Sequence, residues 1–171
     1  MDARGRPVYK EWTPWPGWIQ IVFWGTMLAA MATVGISGDD PPQERLVGAA
    51  VLAIVAVAVQ WLVAGLSVKL YRDDMVVGLG FAGWISKRMR YADIVDLTSV
   101  RYHPLREFGG WGVRFGSGGK RAWTARGNQA VVLHLQGGTQ VYVGSDEPHR
   151  LEARIRAVAG NRIGPEQDVS A

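Results

Sequence analysis

Two long stretches without a charged residue, 12–38 and 46–68, constrain this chain more than any other feature. A helix needs roughly 20 apolar residues to cross about 30 Å of hydrocarbon, and each stretch can supply them. Backbone amides in lipid must be satisfied within the segment, and two short segments cannot close a barrel. Both stretches are therefore predicted to be transmembrane helices, over residues 18–36 and 46–68. The link Ser37-Gly38-Asp39-Asp40-Pro41-Pro42-Gln43-Glu44-Arg45 holds paired prolines and three acids against one arginine, which predicts a helical hairpin. Arg4, Arg6 and Lys10 precede it, and Lys69, Arg72, Lys87, Arg88 and Arg90 come after it. Positive flanks face the cytoplasm, so both termini are expected inside and the acidic link outside. Trp12, Trp15 and Trp18 are expected at the inner interface, with Trp61 near the same level.

A rival reading of the first helix is a secretory signal peptide, because residues 19–28 are apolar and Ala30-Met31-Ala32 resembles a cleavage site. Even then the second helix would leave the C-terminal part in the cytoplasm. Gly48, Leu52, Ala56, Gln60 and Ala64 form a row on the second helix, and the first offers Gly25 and Ala29. Packing within the hairpin is the plainer account of these small residues; a docking face for another membrane subunit is the sharper one. Gln60 is placed to hydrogen-bond across the contact.

From residue 69 the apolar period changes from helical to two. Val68 and Leu70, then Met75, Val77 and Leu79, then Ile85, Lys87, Met89 and Tyr91 alternate with their neighbours. Trp111, Val113 and Phe115, then Val131, Leu133 and Leu135, then Val141 and Val143 do the same, predicting six or seven strands in an all-β meander. A two-residue Gly137-Gly138 turn would mix polar and apolar side chains on both faces. A three-residue loop, 137–139, instead pairs Leu135 with Val141, Leu133 with Val143 and His134 with Tyr142. Ser145-Asp146-Glu147-Pro148 then opens a helix whose Leu151, Ile155 and Val158 share a face, with Glu152 and Arg156 at i,i+4 on the wet side. The expected organisation is a cytoplasmic N-terminal arm (1–17), a transmembrane hairpin (18–68), a cytoplasmic β domain (69–160) and a flexible tail (161–171).

Strands succeeded by one closing helix suggest a particular fold family. The stretches Arg90-Tyr91-Ala92-Asp93-Ile94, Phe108-Gly109-Gly110-Trp111-Gly112-Val113-Arg114, Gly127-Asn128-Gln129-Ala130-Val131 and Val143-Gly144-Ser145-Asp146 resemble those of bacterial pleckstrin-homology-like (PH-like) domains that come after two transmembrane helices. The resemblance covers roughly residues 66–159. It implies an α+β membrane protein, with the hairpin leading into a PH-like antiparallel β-barrel closed by a C-terminal helix. It also implies a membrane-proximal interaction role and no reaction. Fifteen arginines against four lysines, with many Ala and Gly, fit a GC-rich bacterial genome, and the expected location is the bacterial cytoplasmic (inner) membrane, multi-pass.

The chemistry of the chain is sparse. With no cysteine it carries no disulfide framework, thiolate metal site or cysteine nucleophile. Gly78-Leu79-Gly80-Phe81-Ala82-Gly83 fits the dinucleotide fingerprint, but residues 84–91 alternate like a strand where that motif needs a helix N-terminus. His103, His134 and His149 lack metal-ligand spacing. Asp73-Asp74 and the Asp93/Asp96 pair read as turn residues rather than acid/base pairs. No metal, cofactor or catalytic residue is expected, and the chain is read as no enzyme.

Charge says more. Residues 69–160 hold 14 Lys+Arg against 8 Asp+Glu, and a basic domain beside an anionic leaflet gains about 1 kcal/mol for each cation near the surface. Lys69, Arg72, Lys87, Arg88 and Arg90 are the candidate lipid-surface contacts, with a solvated basic face as the alternative. Eukaryotic PH domains grip phosphoinositides around their first strand turn; this chain has Arg72-Asp73-Asp74 there and departs from that pattern. Trp84, Trp111 and Trp123 read first as core or rim aromatics, and Phe108, Trp111 and Arg114 are the candidate partner-binding residues. The expected partners are anionic inner-leaflet lipids and a membrane protein or second copy, with no nucleic acid. The expected function is that of an adaptor or accessory subunit. A lipid or small-ligand sensor and a membrane-bound enzyme with an unrecognised site are the alternatives.

Overall fold

The computed structural model describes residues 5–36, 41–81 and 83–164. The first element is a strand, β1 (Tyr9–Pro14), within the segment expected to be a cytoplasmic N-terminal arm. Two helices come next, α1 (Gly17–Ile36) and α2 (Pro42–Val63), of 20 and 22 residues. At 1.5 Å per residue both are long enough to span about 30 Å. They are apolar, and 0% of the apolar window in α1 and 6% of that in α2 is buried, so neither is the core helix of a globular domain. Residues 37–40 of the acidic link lie outside the described residues.

The second helix begins four residues before the position expected from sequence and ends five earlier. Pro42 takes the first helical turn, where its missing N–H costs nothing. At the other end, residues 65–70 pair with β1 on one side and with residues 75–79 on the other. Leu66, Val68 and Leu70 share the face that is fully buried in the core, so the segment is a strand and not the last turns of a helix. That strand is β2 (Gly65–Leu70), and it continues into β3 (Asp74–Leu79) and β4 (Ile85–Arg90). Sheet 1 runs β1-β2-β3-β4, antiparallel throughout. Because β1 pairs with β2 from Tyr9 opposite Leu70 to Pro14 opposite Gly65, the helical hairpin is an insertion between two neighbouring strands.

Sheet 2 contains β5 (Ile94–Arg101), β6 (Gly112–Phe115), β7 (Lys120–Thr124), β8 (Gln129–Leu135) and β9 (Gln140–Gly144). Its order is β5-β8-β9-β7-β6, and β7 lies parallel to β9. The meander expectation therefore holds for sheet 1 and fails for sheet 2, and the two sheets form no closed barrel. The reason is β7, which pairs with β6 and then leaves β8 one place further on, so that β9 returns between them. The β8–β9 loop has three residues as expected, but they are 136–138, with the Leu135 amide donating to the Thr139 carbonyl at 2.9 Å. The register accordingly shifts by two residues: Leu133 faces Val141 and His134 faces Gln140. A shift of two keeps every side chain on its expected face.

The main core lies between the sheets and α4 (Pro148–Ala159), which packs across β5 and β8. Leu66, Val77, Leu97, Leu133, Val143, Leu151 and Ile155 are fully buried in it. Glu152 is more than a wet-face partner of Arg156. It accepts from the Ser99 amide at 2.9 Å and the Ser99 hydroxyl at 2.6 Å, as well as from Arg156 Nε at 3.2 Å. Burial alone would raise its carboxyl pKa, but the Ser99 donors and Arg156 outweigh that and hold it below the usual carboxylate range.

The N-terminal strand is tied to the start of α4. The Ser145 hydroxyl donates to Glu11 Oε1 at 2.5 Å, Tyr9 donates to Glu11 Oε2 at 3.0 Å, and the Glu147 amide donates to Ser145 Oγ at 3.0 Å. Burial, and then Glu11, pushes the Tyr9 phenol up. The start of the expected tail is also held: Arg162 reaches Asp73 at 2.9 Å and the Arg72 carbonyl, and Ile163 packs on the core. Residues 165–171 lie outside the described residues.

Candidate functional site

The end of sheet 1 where the hairpin leaves and returns gathers the most unusual surface of the molecule. It begins with Gly65: a Cβ there would sit 2.6 Å from the Thr13 carbonyl oxygen and 2.8 Å from Trp12 Cζ2. Only glycine lets β1 and β2 meet directly below the helices. The Trp15 amide donates to Ala64 O at 3.3 Å, closing the junction from the other chain direction.

The β3–β4 turn, described at Gly80, Phe81, Gly83 and Trp84, is stitched to the same place. The Gly80 amide donates to Gly65 O at 2.8 Å, and the Phe81 amide donates to the carbonyl of Trp61 on α2 at 3.1 Å. Gly80 and Gly83 take φ values of 72° and 64°, which side chains rarely adopt. The glycine pattern that fits a dinucleotide fingerprint is therefore a strand-to-strand turn, leading into β4 and not into a helix.

Aromatic side chains collect around this turn. Trp12 stacks on Phe81 with centroids 4.7 Å apart, and Trp84 meets Trp61 edge to face at 6.4 Å. Trp84 is 76% exposed, Phe81 60% and Trp18 59%. Trp15 is half-buried, and its Nε1 has no hydrogen-bond partner. All four expected interface tryptophans thus lie at the junction of hairpin and sheet. Sequence reasoning missed Phe81 and treated Trp84 as core or rim. The available signal was the run from Met75 to Ser86, 12 residues without a charge, which is longer than an edge hairpin needs.

The five expected lipid-contact cations do not converge. Lys69 lies beside Lys10 on the outer face of sheet 1, and Arg88 lies one strand beyond Val76 in the same row. This row stands about 13 Å from the hairpin end of the sheet, at 3.3 Å per residue. Arg88 pairs with the buried Asp74. Arg72 sits in the β2–β3 turn at the far end, and Arg90 is engaged by Asp93 at 3.1 and 3.2 Å, which raises its pKa. Lys87 has the opposite parity, faces the inter-sheet side and is half-buried. Burial, and then the nearby Arg121, lowers its pKa.

The expected partner site also divides. Phe108, on the short helix α3 (Pro104–Phe108), is 7% exposed and forms the second core cluster with Tyr102 and Tyr142, its ring 5.0 Å from that of Tyr142. It holds the outer face of sheet 2 and offers no surface. Trp111 is half-buried, with Nε1 donating to Gly127 O at 2.9 Å, and Arg114 is exposed with Nε donating to Trp111 O. Trp111, Leu105 and Asn128 line a shallow depression of about 410 Å³.

No protein-family model, curated protein or solved structure matches this chain. Its chemistry is therefore carried by geometry alone. His103 precedes α3, His134 lies on β8 and His149 in the first turn of α4, and among the described residues no three His, Asp or Glu side chains converge as a metal site would need. Inside the hairpin, Gln60 Nε2 donates to Gln20 Oε1 at 2.6 Å, and a Cβ on Gly48 would sit 3.2 Å from Val34 Cγ1, a close approach of the two helices. The small residues of α2 therefore serve packing within the hairpin, whereas Gly25 and Ala29 of α1 lie on its exposed side.

Proposed function

We propose that this is a two-span membrane protein of the bacterial inner membrane whose β domain is an interaction module. In this reading it serves as an adaptor or accessory subunit for another membrane protein and performs no reaction itself. The observation that supports it most is the insertion of α1 and α2 between the paired strands β1 and β2. Antiparallel neighbours bring the start of α1 and the end of α2 to one edge, so a spanning hairpin places the N-terminal strand and the β domain on one side. A cleaved signal peptide would remove β1 from the sheet, which counts against that alternative. The flanking Arg and Lys support a cytoplasmic location for this side.

The four-stranded sheet, second sheet and C-terminal helix are compatible with the PH-like resemblance, although the parallel β7–β9 pair departs from an antiparallel barrel. The partner surface is the exposed side of the hairpin together with the Trp111 depression. The test is native extraction of the full-length protein into nanodiscs and mass spectrometry of the molecules that co-purify. A stoichiometric membrane protein is the expected result, lost on Trp111→Ala. Recovery alone would overturn the adaptor reading, and recovery with anionic phospholipid would favour a lipid sensor using Lys10, Lys69 and Lys87.

A further inference from the structure

We infer that the β3–β4 turn is a third membrane anchor, with Phe81, Trp84 and Ile85 seated in the lipid headgroup region beside the hairpin. This rests on the spanning reading of α1 and α2 and extends it to the β domain.

Three independent observations meet at the turn. Its backbone is hydrogen-bonded to the last turn of α2 through Phe81 N and Trp61 O, so it lies level with the end of a helix built to span. Its side chains are apolar and exposed: Trp84, Phe81 and Ile85 are 76%, 60% and 46% exposed, in a run that carries no charge from Met75 to Ser86. Water is an unfavourable surrounding for such a group, whereas the interface of a bilayer favours amphipathic rings such as Trp. Finally, the first charge beyond the turn is Lys87, one pleat above Ile85, with Arg88 on the other face of the strand. The tip is thus free of charge, and the nearest cations above it are already engaged, Lys87 half-buried toward the inter-sheet side and Arg88 paired with Asp74, so the apolar side chains and not the cations make the contact.

The consequence is orientation. Two helices alone leave the domain free to tilt about their exit points, whereas a third contact at β4 fixes sheet 1 with its strands running away from the bilayer. The row Lys10, Lys69 and Arg88 then faces sideways, and Arg72 and Arg90 stand at the far end, out of reach of lipid.

The absence of cysteine permits a direct test. Single-cysteine variants of the full-length protein, Trp84→Cys, Ile54→Cys and Arg72→Cys, carry a nitroxide label in nanodiscs of phosphatidylcholine and phosphatidylglycerol at 3:1, a mixture of about one anionic lipid in four chosen to present an anionic surface. Collision with oxygen and with a water-soluble nickel complex reports depth. The expected order is Ile54 deep in hydrocarbon, Trp84 at the headgroup boundary and Arg72 in water. If Ile54 is deep and Trp84 is as accessible to nickel as Arg72, the anchor is refuted while the hairpin reading stands. If Ile54 is itself in water, both fall. Should Trp84→Cys fail to fold, Ile85→Cys reads the same depth.

Discussion

Sheet 1 joins strands that are neighbours in sequence or separated only by the helical hairpin, whereas sheet 2 runs β5-β8-β9-β7-β6 and includes a parallel pair. The contrast shows in their cores. Sheet 1 turns its apolar side chains to one face, against the main core, and its other face is polar, with Lys10, Lys69 and Arg88 beside the buried Ser67 and Asp74. Sheet 2 buries both: its inner face meets sheet 1 and α4, and its outer face is covered by Tyr102 and Phe108 packed on Tyr142. A sheet with one wet face can tolerate an insertion between two of its strands, because the register is set by alternation; one buried on both faces is set by the groups that cover it.

That contrast can be broken most strongly at Phe108. Phe108→Ala is expected to cost about 3–5 kcal/mol, as aromatic truncation in a core does. Thermal unfolding of the detergent-solubilised protein measures it. An unchanged midpoint would return Phe108 to the surface and leave sheet 2 with one covered face.

A smaller effect is expected at Gly65, where a methyl group would press on Thr13 and Trp12. Gly65→Ala should cost about 1–3 kcal/mol, the usual range for overpacking. Hydrogen exchange should show the amides of Tyr9–Pro14 losing protection while β8 and β9 keep theirs. Equal loss in both sheets would mean that β1 is integral to one cooperative unit and not a separable edge.

Glu152 joins α4 to sheet 2, and its loss should be felt there. Glu152→Gln is expected to cost about 1 kcal/mol at neutral pH, as for one net hydrogen bond at a partly exposed site. Since its folded pKa lies below the unfolded carboxylate value of 4.5, its contribution is full above that value and fades as pH falls through the folded one. The wild-type and variant unfolding curves should therefore converge in acid. Parallel curves down to about pH 2, below both carboxylate values, would exclude the linkage.

The least effect belongs to the hairpin that interrupts sheet 1. Gln60→Leu removes the bond to Gln20 and should cost about 0.6 kcal/mol, the average for such bonds between membrane helices. Steric trapping in bicelles would detect it; a loss several times larger would make Gln60 part of a site rather than a packing contact.

Much of this molecule is legible one segment at a time. The two apolar helices, the alternation of Leu66, Val68 and Leu70, and the amphipathic face of α4 arise from each residue and its near neighbours, because period reports which side of an element is wet. Glu152 and Arg156 are similarly legible from i,i+4 spacing, and the odd β8–β9 loop from the need to keep the apolar residues of β8 and β9, such as Leu133 and Val141, on one face.

Other features were decided only by distant partners. The segment Tyr9–Pro14 has little apolar signal and becomes a strand because β2 offers it an open edge and Ser145, 134 residues later, takes up Glu11. The order of sheet 2 depends on β9 returning beside β7, a pairing no local pattern encodes. Phe108 is core because two tyrosines meet it, and Trp84 is exposed because its turn is bonded to the base of a helix. Local periodicity selects the element and its inward face; which elements meet, and so which surfaces are left outside to function, is a property of the assembled core.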